Sequence, residues 1–532
     1  MPHRHDPSPP PMAAAAQAAA CSSTTIDSVF RRAFTVFADR VAVTSEHGSL
    51  TYAELRQRSW RLAGALANLG LQRGGRIAVL CETRPEYIEA YAACAALGVT
   101  VVALNIRLHP EELLHCLEKT LPSVVIASGT HAAAIVPSRD RAPFLEHWIG
   151  LDGFESKGWL DYEALLAAAA PDEPPLVASP EDIHNVLFTS GTTGRPKGAM
   201  ISQRAAAIRG LRLAQWFGLT GADGFVGWLP LFHCGGDESL YATLITGGIY
   251  ATFAKADAET MFRAMERYRL TWTLLLPGVL TDVLNHQRRG DYDLSSFRFA
   301  IGYANMMPDI VAQLTTTFKI DFYDAFGQSE VSYLLAHGVC RPGEKPSLRK
   351  QPSPLLDVRI VDDAMNEVPN GQAGECVVRG PSVMSGYLDD PKANEEVFQG
   401  GWLHTGDLLR RESDGTLTYV DRKRYLIKSG GENVYPAEVE QVIARHPAVQ
   451  EVCVLGIPDP HWGETIKAVL VLRQNQQASA ADIVAWCREH LAGYKRPRFI
   501  EFVRPEQLPR STTGKLQRHE LAKWPVTEAQ KV

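Results

Sequence analysis

Hydrophobic positions along this chain switch repeatedly between helical and strand spacing. Over 51–69, Leu55, Leu62, Leu66 and Leu69 recur at helical intervals, which predicts an amphipathic helix. RIAVLCE (76–82) is a short, nearly unbroken apolar run of strand length, and 84–97 returns to helix. VTVVALN (99–105) and 123–127 read as further strands. Pro110 stands where a helix would start, just before Glu111 and Leu113, and its missing N–H costs nothing there. A second alternating series runs from Asn185 to Asp324, whereas 356–420 is turn-rich and β-like. Alternation of this kind predicts parallel sheets covered by helices. Near Asp421 the character changes again: charges cluster in DRKR, and Pro436 precedes a helical run, AEVEQVIARH. Strand-like EVCVLGI and TIKAVLVLR follow, then helical ADIVAWCREHLA. At 532 residues the chain is too long for one core. The fold class expected is α/β: a large N-terminal domain of layered parallel sheets with a β-rich subdomain (25–420) and a small α+β C-terminal domain (421–532). Residues 1–24, Pro-rich and then Ala-rich, read as a disordered tail.

Composition narrows the function classes. With 45% hydrophobic and 21% charged residues, the chain has the make-up of a globular protein. A net charge of −6, with no long cationic run, argues against nucleic acid as a partner. No apolar run is long enough for a membrane span. The nine cysteines form no C-x-x-C pair and no zinc spacing, which favours a reducing, cytoplasmic location. Cys81, Cys94, Cys376 and Cys453 lie in apolar runs and read as buried thiols. Cys234 follows His233, so a Cys–His nucleophile is conceivable, and it would require a depressed thiol pKa.

The most chemically loaded segment is TSGTTGRPKG (189–198). Gly191 and Gly194 let the backbone curl and turn its N–H groups toward an anion. Thr189, Ser190, Thr192 and Thr193 add hydroxyl donors, and Lys197 adds a mobile positive charge. The apolar stretch 185–188 predicts the strand that delivers this phosphate cradle. A Walker loop needs G-x-x-x-x-G-K-[ST]. Here Gly194 is followed by Arg195, Pro196 and Lys197, and Gly198 by Ala199. Pro196 also argues against a helix starting at once after the loop. The bland alternative is a Gly/Thr surface turn.

TSGTTGRPKG resembles the signature loop of the acyl-adenylate-forming (AMP-binding) superfamily, which includes acyl-CoA synthetases, firefly luciferase and peptide-synthetase adenylation domains. Other motifs follow in that family's order: WLPLFH (228–233), FGQSE (326–330), GWLHTGD (401–407), DRKRYLIKSGGENVYPAEVE (421–440) and LPRSTTGKLQR (508–518). The resemblance spans nearly the whole chain and points to the acyl-CoA synthetase branch. It implies that a carboxylic acid attacks the α-phosphate of ATP, giving acyl-AMP and pyrophosphate, and that CoA then takes the acyl group. ATP, Mg²⁺ and CoA are the implied cofactors and co-substrates.

By this resemblance Lys515, Lys197 and His233 are catalytic. Lys515 would reach the reacting carboxylate when a mobile C-terminal domain rotates about Arg424. The loop residues Thr189 to Gly194 bind the triphosphate, with Thr189 and Glu330 near the metal. Tyr303, Ala304, Asp324, Phe326, Gly327 and Ser329 belong to the adenine side, and Phe326 keeps the stacking face of the family's usual Tyr. Asp407 and Arg422 contact the ribose. Lys428, Ser429, Gly430, Gly431 and Trp462 line the pantetheine channel, and the cations of GYKRPR (493–498) are further CoA candidates. Trp228, Phe232, His233 and Gly302 border the acyl pocket.

Two departures from the family pattern bear on the substrate. Tyr303 stands where a small residue is expected, and SLRKQPSP (347–354) replaces a Gly-containing stretch. Both argue against a long fatty acid and for a short, medium or aromatic one. Asp237 and Glu238 are expected to face solvent; facing the pocket, they would favour a polar acid. Two other functions fit the motifs: an adenylating enzyme that passes its acyl group to a carrier protein or an amine, and an inactive nucleotide-binding regulator. A homodimer is a candidate assembly.

Overall fold

The computed structural model describes residues 24–154, 156–189, 196–253, 257–303, 308–429, 432–510, 516–527 and 530–532. These group into two compact units. The first comprises residues up to Ser347 with Ser353–Leu356 and Arg379–Glu396; the second comprises Leu348–Pro352, Asp357–Val378 and Val397–Val532.

The first unit contains two large sheets. In one, Ile183–Thr189, Thr100–Ala103, Arg76–Leu80, Val124–Ala127, His147–Gly150 and Trp159–Asp161 run parallel in that spatial order. Lys197–Ser202 adds antiparallel to Ile183–Thr189, and Gly386–Tyr387 adds antiparallel beyond it. In the other, Asp321–Gln328, Phe299–Gly302, Trp272–Leu275, Gly224–Gly227, Ile249–Thr252 and Val41–Ser45 are parallel, with Ser332–Cys340 antiparallel beside Asp321–Gln328 and Gly48–Thr51 antiparallel beside Val41–Ser45. The α/β expectation holds here strand by strand. Helix Tyr52–Asn68 carries the predicted leucine stripe, capped by Thr51 with Glu54 reaching back. Helix Pro110–Thr120 does begin at Pro110.

Helices Gln203–Trp216 and Cys234–Ile245 pack against each other inside this unit. Gly210 permits the contact, because a Cβ there would lie 2.6 Å from Cβ of Tyr241. The pair is unusually polar for a core. Arg209 Nη1 meets Glu238 Oε1 at 3.1 Å with both side chains at most 1% exposed, and Ser332 Oγ donates to Glu238 Oε2 at 2.5 Å. Asp237 accepts from Asn185 Nδ2 at 2.8 Å. The expectation that Asp237 and Glu238 face solvent is therefore corrected: both are buried and satisfied by partners from other elements.

In the second unit, Ala373–Arg379, Leu403–Arg411, Leu417–Arg422 and Arg349–Pro352 form antiparallel pairs, so SLRKQPSP supplies a strand. Further on, Val449–Asp459 and Gly463–Leu472 form a long hairpin, joined by Ile427–Ser429, Glu432–Val434 and Phe499–Phe502 and covered by helices Pro436–Ala444 and Ala480–His490. The β-like reading of 356–420 missed the short helix Pro391–Val397, which starts at a proline with Asp390 accepting from the N–H of Ala393.

Candidate active site

The cradle residues Ser190, Gly191, Thr192, Thr193 and Gly194 lie outside the described residues, but the strands on either side are in place. Ile183–Thr189 and Lys197–Ser202 are antiparallel, and Thr189 stands opposite Lys197. After the segment the chain enters the strand Lys197–Ser202 and not a helix, in keeping with Pro196 and unlike a Walker site. Gly198 is required by packing, because a Cβ would sit 2.8 Å from Cγ1 of Val186.

Candidate residues of the second sheet collect at the carboxyl ends of its parallel strands, where open α/β sheets bind ligands. Trp228 to His233 follow strand Gly224–Gly227, Tyr303 follows Phe299–Gly302, and Ser329 and Glu330 follow Asp321–Gln328. Asp324 and Phe326 lie on that last strand and are buried. Gly327 cannot carry a side chain, since a Cβ would lie 2.1 Å from the carbonyl oxygen of Ser332 on the neighbouring strand. Gly302 is similarly closed in by the carbonyl of Leu275 and the ring of Phe322, at 2.7 and 2.9 Å. Tyr303 is 37% exposed; Ala304 lies outside the described residues.

Around the acyl-side candidates, the indole N–H of Trp228 donates to the carbonyl of Leu274 at 2.7 Å, which fixes the ring. Phe232 is buried with its ring 4.8 Å from that of His233, and His233 is the N-cap residue of helix Cys234–Ile245. Burial pushes the Cys234 thiol up to about 12, and the charges of Glu238 and Asp237 add to the effect. A nucleophile needs the opposite shift, so the Cys–His possibility falls away.

Tyr387 was not among the sequence candidates, yet it links two of them. Its hydroxyl donates to Glu330 Oε1 at 2.7 Å, and Lys197 Nζ lies 5.2 Å from its ring centroid. Arg209 and Arg212 were also missed. Arginines within the Ala- and Leu-bearing run of helix Gln203–Trp216, with an acidic pair in the next helix, were the available signal.

In the second unit, Asp407 and Arg422 face each other across paired strands, with Arg422 Nε 2.8 Å from Asp407 Oδ1. Asp407 is buried. Arg424 lies in the turn Lys423–Tyr425 and donates to the Tyr425 hydroxyl at 2.7 Å. Ser429 pairs with Gly463, the residue after Trp462, so two of the CoA candidates reach adjacent strands. Lys428 is exposed on the same strand. The Arg498 guanidinium sits 4.2 Å over the Trp462 ring, which joins the GYKRPR segment to it. Gly430, Gly431 and Lys515 lie outside the described residues.

The family described as AMP-binding enzyme matches residues 30–388, and its C-terminal domain matches residues 438–515. The chain belongs to the AMP-binding enzyme family. Among the relatives of this AMP-binding enzyme, a feruloyl-CoA synthase from Amycolatopsis sp. is 35% identical over 489 residues, which cover 90% of this chain and 95% of the relative. The anthranilate CoA ligase AuaEII, solved in complex with anthranoyl-AMP, superposes with a TM-score of 0.82 at 26% identity, covering 95% of this chain and 97% of that one. O-succinylbenzoate coenzyme A synthetase from Bacillus subtilis, solved with ATP and magnesium ion, gives a TM-score of 0.80 at 28% identity over 93% of this chain and 98% of that one. Among the described residues of this AMP-binding enzyme, no helix is long and apolar enough to cross a membrane.

Proposed function

We propose that this chain is an ATP- and Mg²⁺-dependent carboxylic acid:CoA ligase that works through an acyl-AMP intermediate and acts on an aromatic acid. The observation that carries the reaction is the convergence of Lys197 and Glu330 on Tyr387, beside the strand that opens the phosphate loop. Carboxylate and triphosphate repel each other, so their approach needs fixed cations and donors. Lys197 supplies a cation at the root of the loop. Glu330 fits Mg²⁺ by its chemistry and place: a carboxylate 9% exposed, held at Oε1 by the Tyr387 hydroxyl. A lone carboxylate completed by phosphate oxygens and water is ordinary magnesium chemistry, and the ion would neutralise charge on the leaving pyrophosphate.

Asp407, oriented by Arg422, is the proposed ribose acceptor, and Phe326 is proposed to stack on adenine. Lys515 is proposed to meet the reacting carboxylate, with the rotation of 421–532 hinged at Arg424. Lys428, Ser429, Gly430, Gly431 and Trp462 are proposed to line the route of CoA. The aromatic assignment is supported by relatives whose names specify feruloyl, anthranoyl and succinylbenzoate groups, and by Tyr303 beside Gly302. The burial of Asp237 and Glu238 within their own network removes the support for a charged or amine-bearing acid. A cytoplasmic location accords with the free cysteines of the described residues.

The test is pyrophosphate exchange over a panel of cinnamic, benzoic, arylacetic and aliphatic acids, followed by turnover with CoA. Exchange with aryl acids and CoA-dependent release of AMP are expected. Exchange confined to aliphatic acids would refute the substrate class. Formation of ADP and phosphate would refute the reaction.

A further inference from the structure

We propose that Tyr387 is a positioning residue that sets the Glu330 carboxylate for the metal. The inference rests on the adenylating function above and adds a residue to it.

The geometry around Tyr387 is over-determined. Gly386 and Tyr387 pair with Met200 and Ala199, and the N–H of Leu388 donates to the carbonyl of Gly198 at 2.9 Å. Asn394 holds the Tyr387 backbone from both sides: its Oδ1 accepts from Tyr387 N–H at 2.7 Å and its Nδ2 donates to Tyr387 C=O at 2.8 Å. Gly386 has φ +130°, and a Cβ there would stand 3.0 Å from Asn394 Oδ1, so both the backbone angle and the clamp call for glycine. The preceding residues are tied to the turn that bears Glu330, because the N–H of Met384 donates to the Glu330 carbonyl at 2.8 Å. Backbone and side chain of Glu330 are therefore both bonded to one short segment, 384–387.

Glu330 needs this support. It follows the strand Asp321–Gln328 in a turn and is nearly buried. Among the described residues, the Tyr387 hydroxyl is the single side-chain donor to its carboxylate. A carboxylate with several rotamers pays entropy each time it binds a metal. One short, charge-assisted bond to Oε1 selects a rotamer beforehand. The same ring lies beside Lys197 Nζ, so a single residue spaces the loop cation from the metal-side anion.

The experiment measures ATP binding at equilibrium, with no acid present, in Mn²⁺ and in EDTA. The Mn²⁺ electron spin resonance signal serves as a second readout. Wild type is expected to bind ATP more tightly with metal. Tyr387→Phe keeps the ring beside Lys197 and should leave binding in EDTA unchanged, while losing about tenfold of the metal-dependent gain. Tyr387→Leu removes ring and hydroxyl together and should weaken binding in both media. An equal metal gain in wild type and Tyr387→Phe, with unchanged thermal midpoints, would overturn the proposal. Failure of the wild type to bind ATP at all would overturn the adenylating function first, and this inference with it.

Discussion

Replacing Arg209 by Met tests the buried ion pair behind the site. Arg209 and Glu238 are 1% and 0% exposed, so water cannot take over when one partner goes. Breaking such a pair from one side typically costs about 3–5 kcal/mol, because the remaining charge is stranded. Here the loss also includes the bond from Arg209 Nε to the Ser382 carbonyl, 2.9 Å long. Glu238 can limit the damage by taking up a proton, since burial already holds its carboxyl above the usual range despite Arg209. A native pKa raised above the unfolded value contributes stability below the unfolded pKa and loses it as pH rises toward the native one. The penalty of Arg209→Met should therefore be larger at pH 8 than at pH 5. A chain with two compact units is not expected to unfold in one step, so the comparison uses the transition of the first unit, followed by amide exchange in helix Gln203–Trp216. A fall of roughly 5 °C in its thermal midpoint at pH 8 is expected. The double variant Arg209→Met/Glu238→Gln removes both charges of the pair and keeps an acceptor for Ser332, but it takes the Glu238 charge away from the buried Arg212, so it should recover part of the loss and not all of it. Two single-variant losses that simply add, at both pH values, would show that the charges are not coupled and refute the reasoning.

Two further outcomes follow from other desolvated groups. At pH 8 a thiol pushed up to about 12 is ionised to roughly one part in 10⁴, so iodoacetamide should leave Cys234 unmodified in the folded enzyme, and rapid alkylation would contradict the structure. Glu440 is held at about 7 by burial, even with Arg518 2.6 Å away. Its contribution to stability is complete below pH 4.5 and disappears by pH 7, a swing on the order of 3 kcal/mol. Glu440→Gln should therefore gain in midpoint relative to wild type as pH rises from 5 to 8, and a constant difference would count against it.

Much of the layout could be read from the sequence because strand and helix spacing differ so plainly here. The runs at 76–82, 99–105 and 123–127 are apolar on both faces because helices cover both sides of a parallel sheet. Lys197, Glu330, Asp407 and Arg422 were proposed from motifs, where unusual residue types stand close together in the chain. Tyr387 could not be found that way. Its bond to Glu330 crosses 57 positions, and a Tyr after Gly in SGYLDD reads as any half-buried strand residue. Asp237 and Glu238 misled for the same reason. An acidic pair early in a helix normally faces water, and the arginine that buries Glu238 sits 29 positions away. The helix Pro391–Val397 was legible in hindsight from its proline and its capping aspartate, but it is too short for periodicity to register.

The outer strand Gly386–Tyr387 completes the eight-stranded sheet from a point roughly 185 residues beyond Lys197–Ser202, the strand it covers. At a synthesis rate of about 5–20 residues per second, the nascent chain must wait on the order of 10–40 s for that cover to leave the ribosome. Through that interval Lys197–Ser202 is an open edge, with backbone donors and acceptors free to pair with another polypeptide. Chaperone dependence during expression, and clumping of any fragment cut off before residue 386, are built into the order in which this sheet is assembled.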